Sequence, residues 1–226
     1  MFTVILAGII HATLQLGVGT LLLLYHASLG KHVRKRTREL VTNYILGNAL
    51  LNSLAVAGAC FGVFVVCQGE MNPAMLTIVV GILVALAISI WAFYYRFGKS
   101  TELWLPKAIS GYINRRARLT NSNTEAFSLG MLACFAEAPF TLILIVVAAN
   151  SILGLPQALQ LFALVLYAAL SVLPMVIMRV AVRKGQTVVD IQKWRINNKN
   201  FLRIVSGAGF VILAAFLLVF KVLGAA

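Results

Sequence analysis

Glu137 is an acidic residue deep within an apolar stretch of the sequence, ACFAEAPFTLILIV. A carboxylate at membrane depth costs about 3 kcal/mol or more unless it is paired, hydrated or protonated, so such a residue indicates a site that handles protons or cations. The alternative is a protonated, structural glutamate bonded to a neighbouring helix. Pro139 lacks a backbone N–H, and we expect the opened helix to leave a carbonyl facing the same site.

His11 and Gln15 are four residues apart, which places both side chains on one face of a helix. Two interpretations of His11 are open: it exchanges a proton or binds a cation together with Glu137, or it bonds to a backbone carbonyl. Gly8, Ala12 and other small residues on the same face permit close helix packing.

Asn48 and Asn52 form a second pair at this spacing, and Cys134 lies one turn before Glu137. Amides within a membrane span either hold helices together or line a polar path. Cys134 is either a soft ligand for a transition metal or a small apolar helix residue. The candidate transport or binding residues are therefore Glu137, Gln15, His11, Asn48, Asn52 and Cys134.

The sequence contains no phosphate loop, nucleophile elbow, zincin motif or dinucleotide fingerprint. We therefore expect neither an enzyme nor a bound cofactor. The three cysteines, Cys60, Cys67 and Cys134, form no CxxC pair and no zinc-ligand spacing, which leaves metal binding undetermined.

The elements that hold these residues must be membrane helices. Of the 226 residues, 61% are hydrophobic and 11% charged, against about 25% charged in a soluble domain. Because lipid cannot satisfy exposed backbone amides, each long apolar run must be helical, which predicts an all-α polytopic protein with a retained first helix. The six runs are Phe2 to about Leu29, about Val41 to Gln68, Pro73 to Tyr95, about Glu125 to Asn150, Pro156 to about Val182, and Phe201 to Leu223.

The positive charge is confined to alternate connections between these runs. All but one of the 19 Lys and Arg residues lie in, or within four residues of, the connections that follow the first, third and fifth runs, and the exception is Lys221. The positive-inside rule then places three basic loops in the cytoplasm and both termini outside. The high net charge is also typical of nucleic-acid binding. Short basic patches between apolar runs instead favour contact with an anionic cytoplasmic leaflet, and we expect no nucleic-acid partner.

Residues 105–118, LPKAISGYINRRAR, predict a short amphipathic helix in the inner membrane interface. Leu105, Ile109, Tyr112 and Ile113 share one face of it. A basic amphipathic helix can also bind a partner protein. Beyond it, Ser122 or Asn123 is expected to cap the fourth spanning helix, with Glu125 in its first turn.

Two segments of the chain are weakly similar. When AGIIHATLQLGVGTLLLL is laid on LGMLACFAEAPFTLILIV, Gly8 matches Gly130, Ala12 matches Cys134, and Gln15 matches Glu137. The copies lie in the first and fourth runs, an odd offset of three spans, so they run in opposite directions, which predicts a 3+3 inverted-topology repeat with Gln15 close to Glu137. The predicted organisation is one membrane domain with a first repeat at 1–96, an interfacial segment at 97–122 and a second repeat at 123–226.

In architecture, and in the segments GIIHATLQLG, GMLACFAEAP and VSGAGFVILAAFLL, the chain resembles the LysE/CcdA-like superfamily of six-helix membrane proteins. The resemblance implies a multi-pass protein of a bacterial cytoplasmic membrane, with functional motifs in the first and fourth helices. CcdA-like members shuttle electrons with one cysteine in each of these helices. Here the first helix has no cysteine, which favours the LysE-like export of small solutes or ions.

Three functions are therefore considered. The first is a secondary transporter, an exporter of a small solute or ion, with a midplane site around Gln15 and Glu137. The second is a CcdA-like thiol-disulfide electron carrier. The third is a structural or assembly subunit that binds a partner through its basic loops. A homo-oligomer is compatible with each of them.

Overall fold

The computed structural model describes residues 1–14, 21, 24, 33–93, 107–183 and 187–225. In these ranges the chain is helical, which confirms the predicted all-α class. The helices are α1 (Phe2–Leu14), α2 (Val33–Cys67), α3 (Pro73–Phe93), α4 (Lys107–Leu119), α5 (Asn123–Leu153), α6 (Gln157–Ser171), α7 (Leu173–Arg183), α8 (Val188–Asn197) and α9 (Lys199–Leu217). A π-helical turn (Leu218–Val222) and a 3-10 turn (Leu223–Ala225) follow α9.

Within the described ranges, four helices are long and apolar enough to cross a bilayer, namely α2, α3, α5 and α9. The bent pair of α6 and α7 would make a fifth span if it crosses as one unit. The first predicted run is covered by α1 for 13 residues, and most of its remainder lies outside the described residues. The membrane-protein class is therefore supported, while the count of six spans stays a prediction.

The sequence predicts the fifth run as one spanning helix, whereas the structure divides it into α6 and α7. It breaks at Val172, and the helices on either side differ in direction by 50°. Pro174 has no N–H to donate to the carbonyl of Leu170, so one hydrogen bond of the helix is missing where the direction changes. Helix α2 also differs from its prediction, because it begins at Val33 rather than near Val41 and carries Arg34, Lys35, Arg36 and Arg38 on its first two turns.

Two local predictions near α5 agree with the structure. Ser122 caps α5, with its hydroxyl accepting a hydrogen bond from the backbone N–H of Glu125 at 3.2 Å. The amphipathic helix predicted over 105–118 corresponds to α4, with residues 105 and 106 outside the described ranges. Its Ile113 and Ala117 are buried, whereas Tyr112, which was predicted to lie on the same face as Ile113, is exposed, as the arginines of α4 are.

Helices α2 and α5 run parallel and approach each other through two glycines. A Cβ placed on Gly130 would lie 2.9 Å from the carbonyl carbon of Tyr44, and one on Gly47 would lie 2.9 Å from that of Phe127. Backbones this close have no room for a side chain at either position. The crossing fixes the polar face of α5 against α2, and that face carries the candidate site.

The bundle has two ends of different character. At one, here called the basic end, Arg36 of α2 donates to the backbone carbonyl of Asn121, just before α5 begins. At the opposite end, the Asn150 side chain accepts from the N–H of Met71 at 2.7 Å. There Lys221 Nζ also lies 3.9 Å from Glu70 Oε2. The basic segments around α2 and α5 therefore lie together, and Lys221 lies at the other end.

The apolar core of the bundle consists of two clusters that follow one another along its length. One contains residues such as Ile10 and Leu144, and the other, toward the basic end, contains Tyr44, Ala133 and Met175. The polar residues described next lie between these clusters.

Candidate functional site

His11 of α1, Glu137 of α5 and Tyr167 of α6 meet in the interior of the bundle. His11 Nε2 lies 3.6 Å from Glu137 Oε2, and His11 Nδ1 lies 2.9 Å from the hydroxyl of Tyr167. The first distance suits an ion pair but exceeds an ordinary hydrogen bond. Only 4% of Glu137 is exposed, and the other two side chains are equally buried. His11 therefore lies beside Glu137 and contacts a side chain at each of its two ring nitrogens.

The polar face of α5 follows helical spacing. Gly130, Cys134, Glu137 and Thr141 are three or four residues apart, so they stack on one side of the helix and turn inward together. Thr141 donates its hydroxyl to the backbone carbonyl of Glu137 at 3.2 Å, which satisfies that hydroxyl within the helix.

A chain of amides extends this face onto α2. Cys134 Sγ donates to Asn52 Oδ1 at 3.3 Å, and Asn52 Nδ2 donates to Asn48 Oδ1 at 2.9 Å. Asn48 Nδ2 then donates to the carbonyl of Gly130 at 3.3 Å. Asn48 and Asn52 thus hold α2 to α5, and the same chain reaches the carboxylate face through Cys134. A polar belt crosses the bundle from α6 to α2.

Pro139 does not open the helix toward this belt. Its missing N–H frees the carbonyl of Phe135, one turn earlier. Phe135 is 70% exposed and Pro139 is exposed as well, so the gap in the ladder faces the surface of the bundle. The expectation of a free carbonyl facing the site is therefore wrong, because proline and glutamate lie on different sides of α5.

Gln15, the predicted counterpart of Glu137, lies outside the described residues. Its approach to Glu137 stays a prediction. The other five candidate residues are all buried and belong to the belt.

The three cysteines are free and far apart. Cys60 donates to the carbonyl of Ala149, fifteen residues beyond Cys134 on α5, or about 22 Å along the helix. Cys67 lies nearer still to the opposite end, with its Sγ 3.4 Å from Met75 Sδ. A disulfide needs Cα atoms within about 7 Å, so neither cysteine of α2 can bridge to Cys134 without rearrangement.

Within the ranges that the structure describes, no cluster of three or more His, Cys, Asp or Glu side chains could hold a metal ion. Near Glu137 the donors are an imidazole, a phenol and a thiol. This set suits proton exchange better than the binding of a hard cation, because a hard cation prefers several oxygen ligands.

Sequence reasoning missed two residues of this region. Tyr167 lies in an apolar run where a tyrosine is ordinary, and only the α1–α6 contact shows that its hydroxyl meets His11. Ser206 of α9 donates to the carbonyl of Thr13 at 3.2 Å, a contact between the first and last helices that no local pattern signals.

Comparisons with protein-family models, curated proteins and solved structures found no match to this chain. The geometry of the polar belt is therefore the basis for a functional conclusion.

Proposed function

We propose that this protein is a secondary membrane transporter, an exporter of a small solute or ion, with Glu137 as its coupling group. The observation that carries the proposal is the buried contact of Glu137 with His11, backed by Tyr167. An ionisable pair at membrane depth is costly and typically marks a substrate or proton pathway.

The pair is suited to passing a proton between two states. Its separation of 3.6 Å would shorten to a hydrogen bond after a movement of only about 0.7 Å. Tyr167 holds the other ring nitrogen of His11 and thereby sets the ring orientation. A small displacement of α1 against α5 would therefore make or break a direct hydrogen bond between His11 and Glu137.

Helix packing supports the inverted repeat on which alternating access depends. Exchanging the halves pairs α1 with α5, α2 with α6–α7, and α3 with α9. This exchange turns the α2–α5 contact into the α1–α6 contact. It likewise turns the α1–α9 contact into the α3–α5 contact. All four of these helix pairs are in contact in the structure. The aligned glycines also take equivalent positions, since Gly130 packs on Tyr44 of α2 and Gly8 packs on Leu170 of α6.

The charge distribution supports an orientation. The basic segments around α2 and α5 meet at one end, which by the positive-inside rule faces the cytoplasm. The opposite end, with Glu70 and Lys221, would then face outside, as expected for a bacterial cytoplasmic membrane protein.

Proteoliposomes that contain a pH-sensitive dye test the proposal. Amino acids, organic cations and metal ions are added in turn, and we expect at least one to drive proton flux. Glu137→Gln should reduce that flux at least tenfold, whereas Glu39→Gln, an exposed carboxylate at the basic end, should leave it unchanged. Tyr167→Phe should shift the pH profile of transport, which a merely structural tyrosine would not do. A folded Glu137→Gln protein that transports normally contradicts the proposal.

A structural subunit is the second candidate. The close burial of His11, Glu137 and Tyr167 also suits a polar network that only holds helices together. Copurification of a stoichiometric partner, with no substrate-driven proton flux, would favour it.

A further inference from the structure

A groove of about 740 Å³ lies at the opposite end of the bundle, between the last turns of α2 and the start of α6. It is separate from the polar belt, and its ligand does not depend on the proposed transport function. Its lining includes two aromatic rings, one carboxylate, two carboxamides and a thiol, from Phe61, Phe64, Glu70, Gln157, Gln160 and Cys60.

The polar and apolar groups of this groove are separated by depth. Glu70 lies beyond the end of α2, and Gln157 is the first residue of α6. Phe61 lies six residues before the end of α2, which places it about 9 Å deeper along the helix. With α2 crossing the bilayer, this polar rim would lie at headgroup level and the apolar wall in the acyl-chain layer.

The wall is open to the side. Phe61 is 71% exposed and Phe64 is 57% exposed, so an acyl chain can lie against both rings without entering the bundle. A water-soluble ligand would leave these rings uncovered.

Two opposite charges meet at the edge of the groove, where Glu70 lines it and Lys221, from the turn after α9, lies beside Glu70. Lys221 Nζ lies 3.9 Å from Glu70 Oε2, and both side chains are about half exposed. A Cβ on Gly154 would come within 2.6 Å of Glu70 Oε1, so the carboxylate is seated against the turn between α5 and α6. Gln160 donates to the carbonyl of Leu155 at 3.1 Å and braces the same turn. Because an exposed ion pair is weak, a ligand with charges of both signs can replace it.

We propose that this groove binds a phospholipid whose headgroup carries both a primary ammonium and a phosphate. The ammonium pairs with Glu70, the phosphate pairs with Lys221, and an acyl chain lies along Phe61 and Phe64. An anionic lipid without an amine meets only Lys221 and is repelled by the carboxylate. The site therefore selects a zwitterionic lipid of the leaflet at this end.

Lipid titration of the full-length protein in detergent, followed by native mass spectrometry, tests the proposal. The probes are phosphatidylethanolamine, phosphatidylglycerol and phosphoethanolamine, which has the headgroup without chains. We expect phosphatidylethanolamine to bind about tenfold more tightly than phosphatidylglycerol, the effect of one charge-assisted contact. Glu70→Gln should remove this preference, and the matched variant Glu39→Gln should keep it.

Gly154→Ala provides a second variant, because its methyl group displaces the Glu70 carboxylate without removing its charge. It should also weaken the preference, while the thermal stability of both variants reports whether they fold. Equal binding of the two lipids overturns the proposal, as does a preference that survives Glu70→Gln. Tight binding of phosphoethanolamine alone also overturns it, since the site would then take a soluble ligand.

Discussion

Replacing Gly130 with alanine tests the α2–α5 crossing that holds the polar belt together. The new methyl group would lie 2.9 Å from the carbonyl carbon of Tyr44 and 3.0 Å from the N–H nitrogen of Asn48. Carbon atoms in contact prefer about 3.5–4.0 Å, so the helices must separate by at least about 0.6 Å. The obstructing atoms are backbone, so a side-chain rotation cannot relieve the contact.

The size of the effect follows from a comparison with Gly58 on α2, where an added Cβ meets nothing within 4 Å. Both Gly→Ala changes gain similar helix propensity, about 1 kcal/mol, and this gain cancels between them. Overpacking costs about 1–3 kcal/mol, and rigid backbone neighbours place Gly130 at the top of that range. We therefore expect Gly130→Ala to be about 3 kcal/mol less stable than Gly58→Ala.

Thermal unfolding in detergent measures this difference. For a chain of this size 1 kcal/mol corresponds to about 2–4 °C, so the two variants should differ by about 6–12 °C in Tm. Separation of the helices should also break the contact of Asn48 with the Gly130 carbonyl. If the Tm values of the two variants agree within 2 °C, α2 and α5 do not approach as closely as described at Gly130. The contacts of Asn48 and Cys134 across these helices would then not hold.

Three further predictions concern other parts of the bundle. In Gly207→Ala the methyl group would lie 2.6 Å from Trp91 Cε2, so we expect the indole to shift and the near-ultraviolet circular dichroism to change. Thr187 donates to the carboxylate of Asp190 and holds its pKa below the ordinary value, so this cap of α8 is intact above about pH 4 and is lost as the pH falls through the lowered pKa. Thr187→Val should raise that pKa in a carboxyl NMR titration; an unchanged pKa would rule out the hydrogen bond as its cause. Buried Cys134 should react with maleimide at least tenfold more slowly than the other two cysteines, by mass spectrometry, and equal rates would contradict its burial.

Much of the helical framework could be predicted because lipid leaves an apolar run few alternatives to a helix. The start of α2 could not, since hydropathy identifies the lipid-facing part only, and the basic residues before Val41 are good helix formers that continue the same helix outward. The break at Val172 is marked in the sequence only by Pro174, and the direction of the bend depends on packing.

Two residues of the candidate site, His11 and Glu137, could be picked out from the sequence because the membrane restricts which side chains occur there. His11 and Glu137 stand out because charged or ionisable groups are rare at membrane depth, so few pairings are available to them. Tyr167 joins them through a contact between residues 156 positions apart, and an apolar run with a tyrosine gives no direction for its hydroxyl. The outward position of Pro139 likewise depends on how α5 is rotated in the bundle, which its own sequence leaves open.

The packing of the halves against each other has a consequence for biogenesis. Helix α3 packs on α9, which begins at Lys199, over 100 residues after α3 ends at Phe93. At translation rates of about 5–20 residues per second, α3 waits roughly 5–20 s in the membrane before its partner is made. During that interval the indole of Trp91 lacks the surface of α9 at Gly207 on which it packs in the complete bundle. The nascent first half must therefore be kept from other hydrophobic helices, and a chain truncated before α9 should be a substrate for membrane quality control.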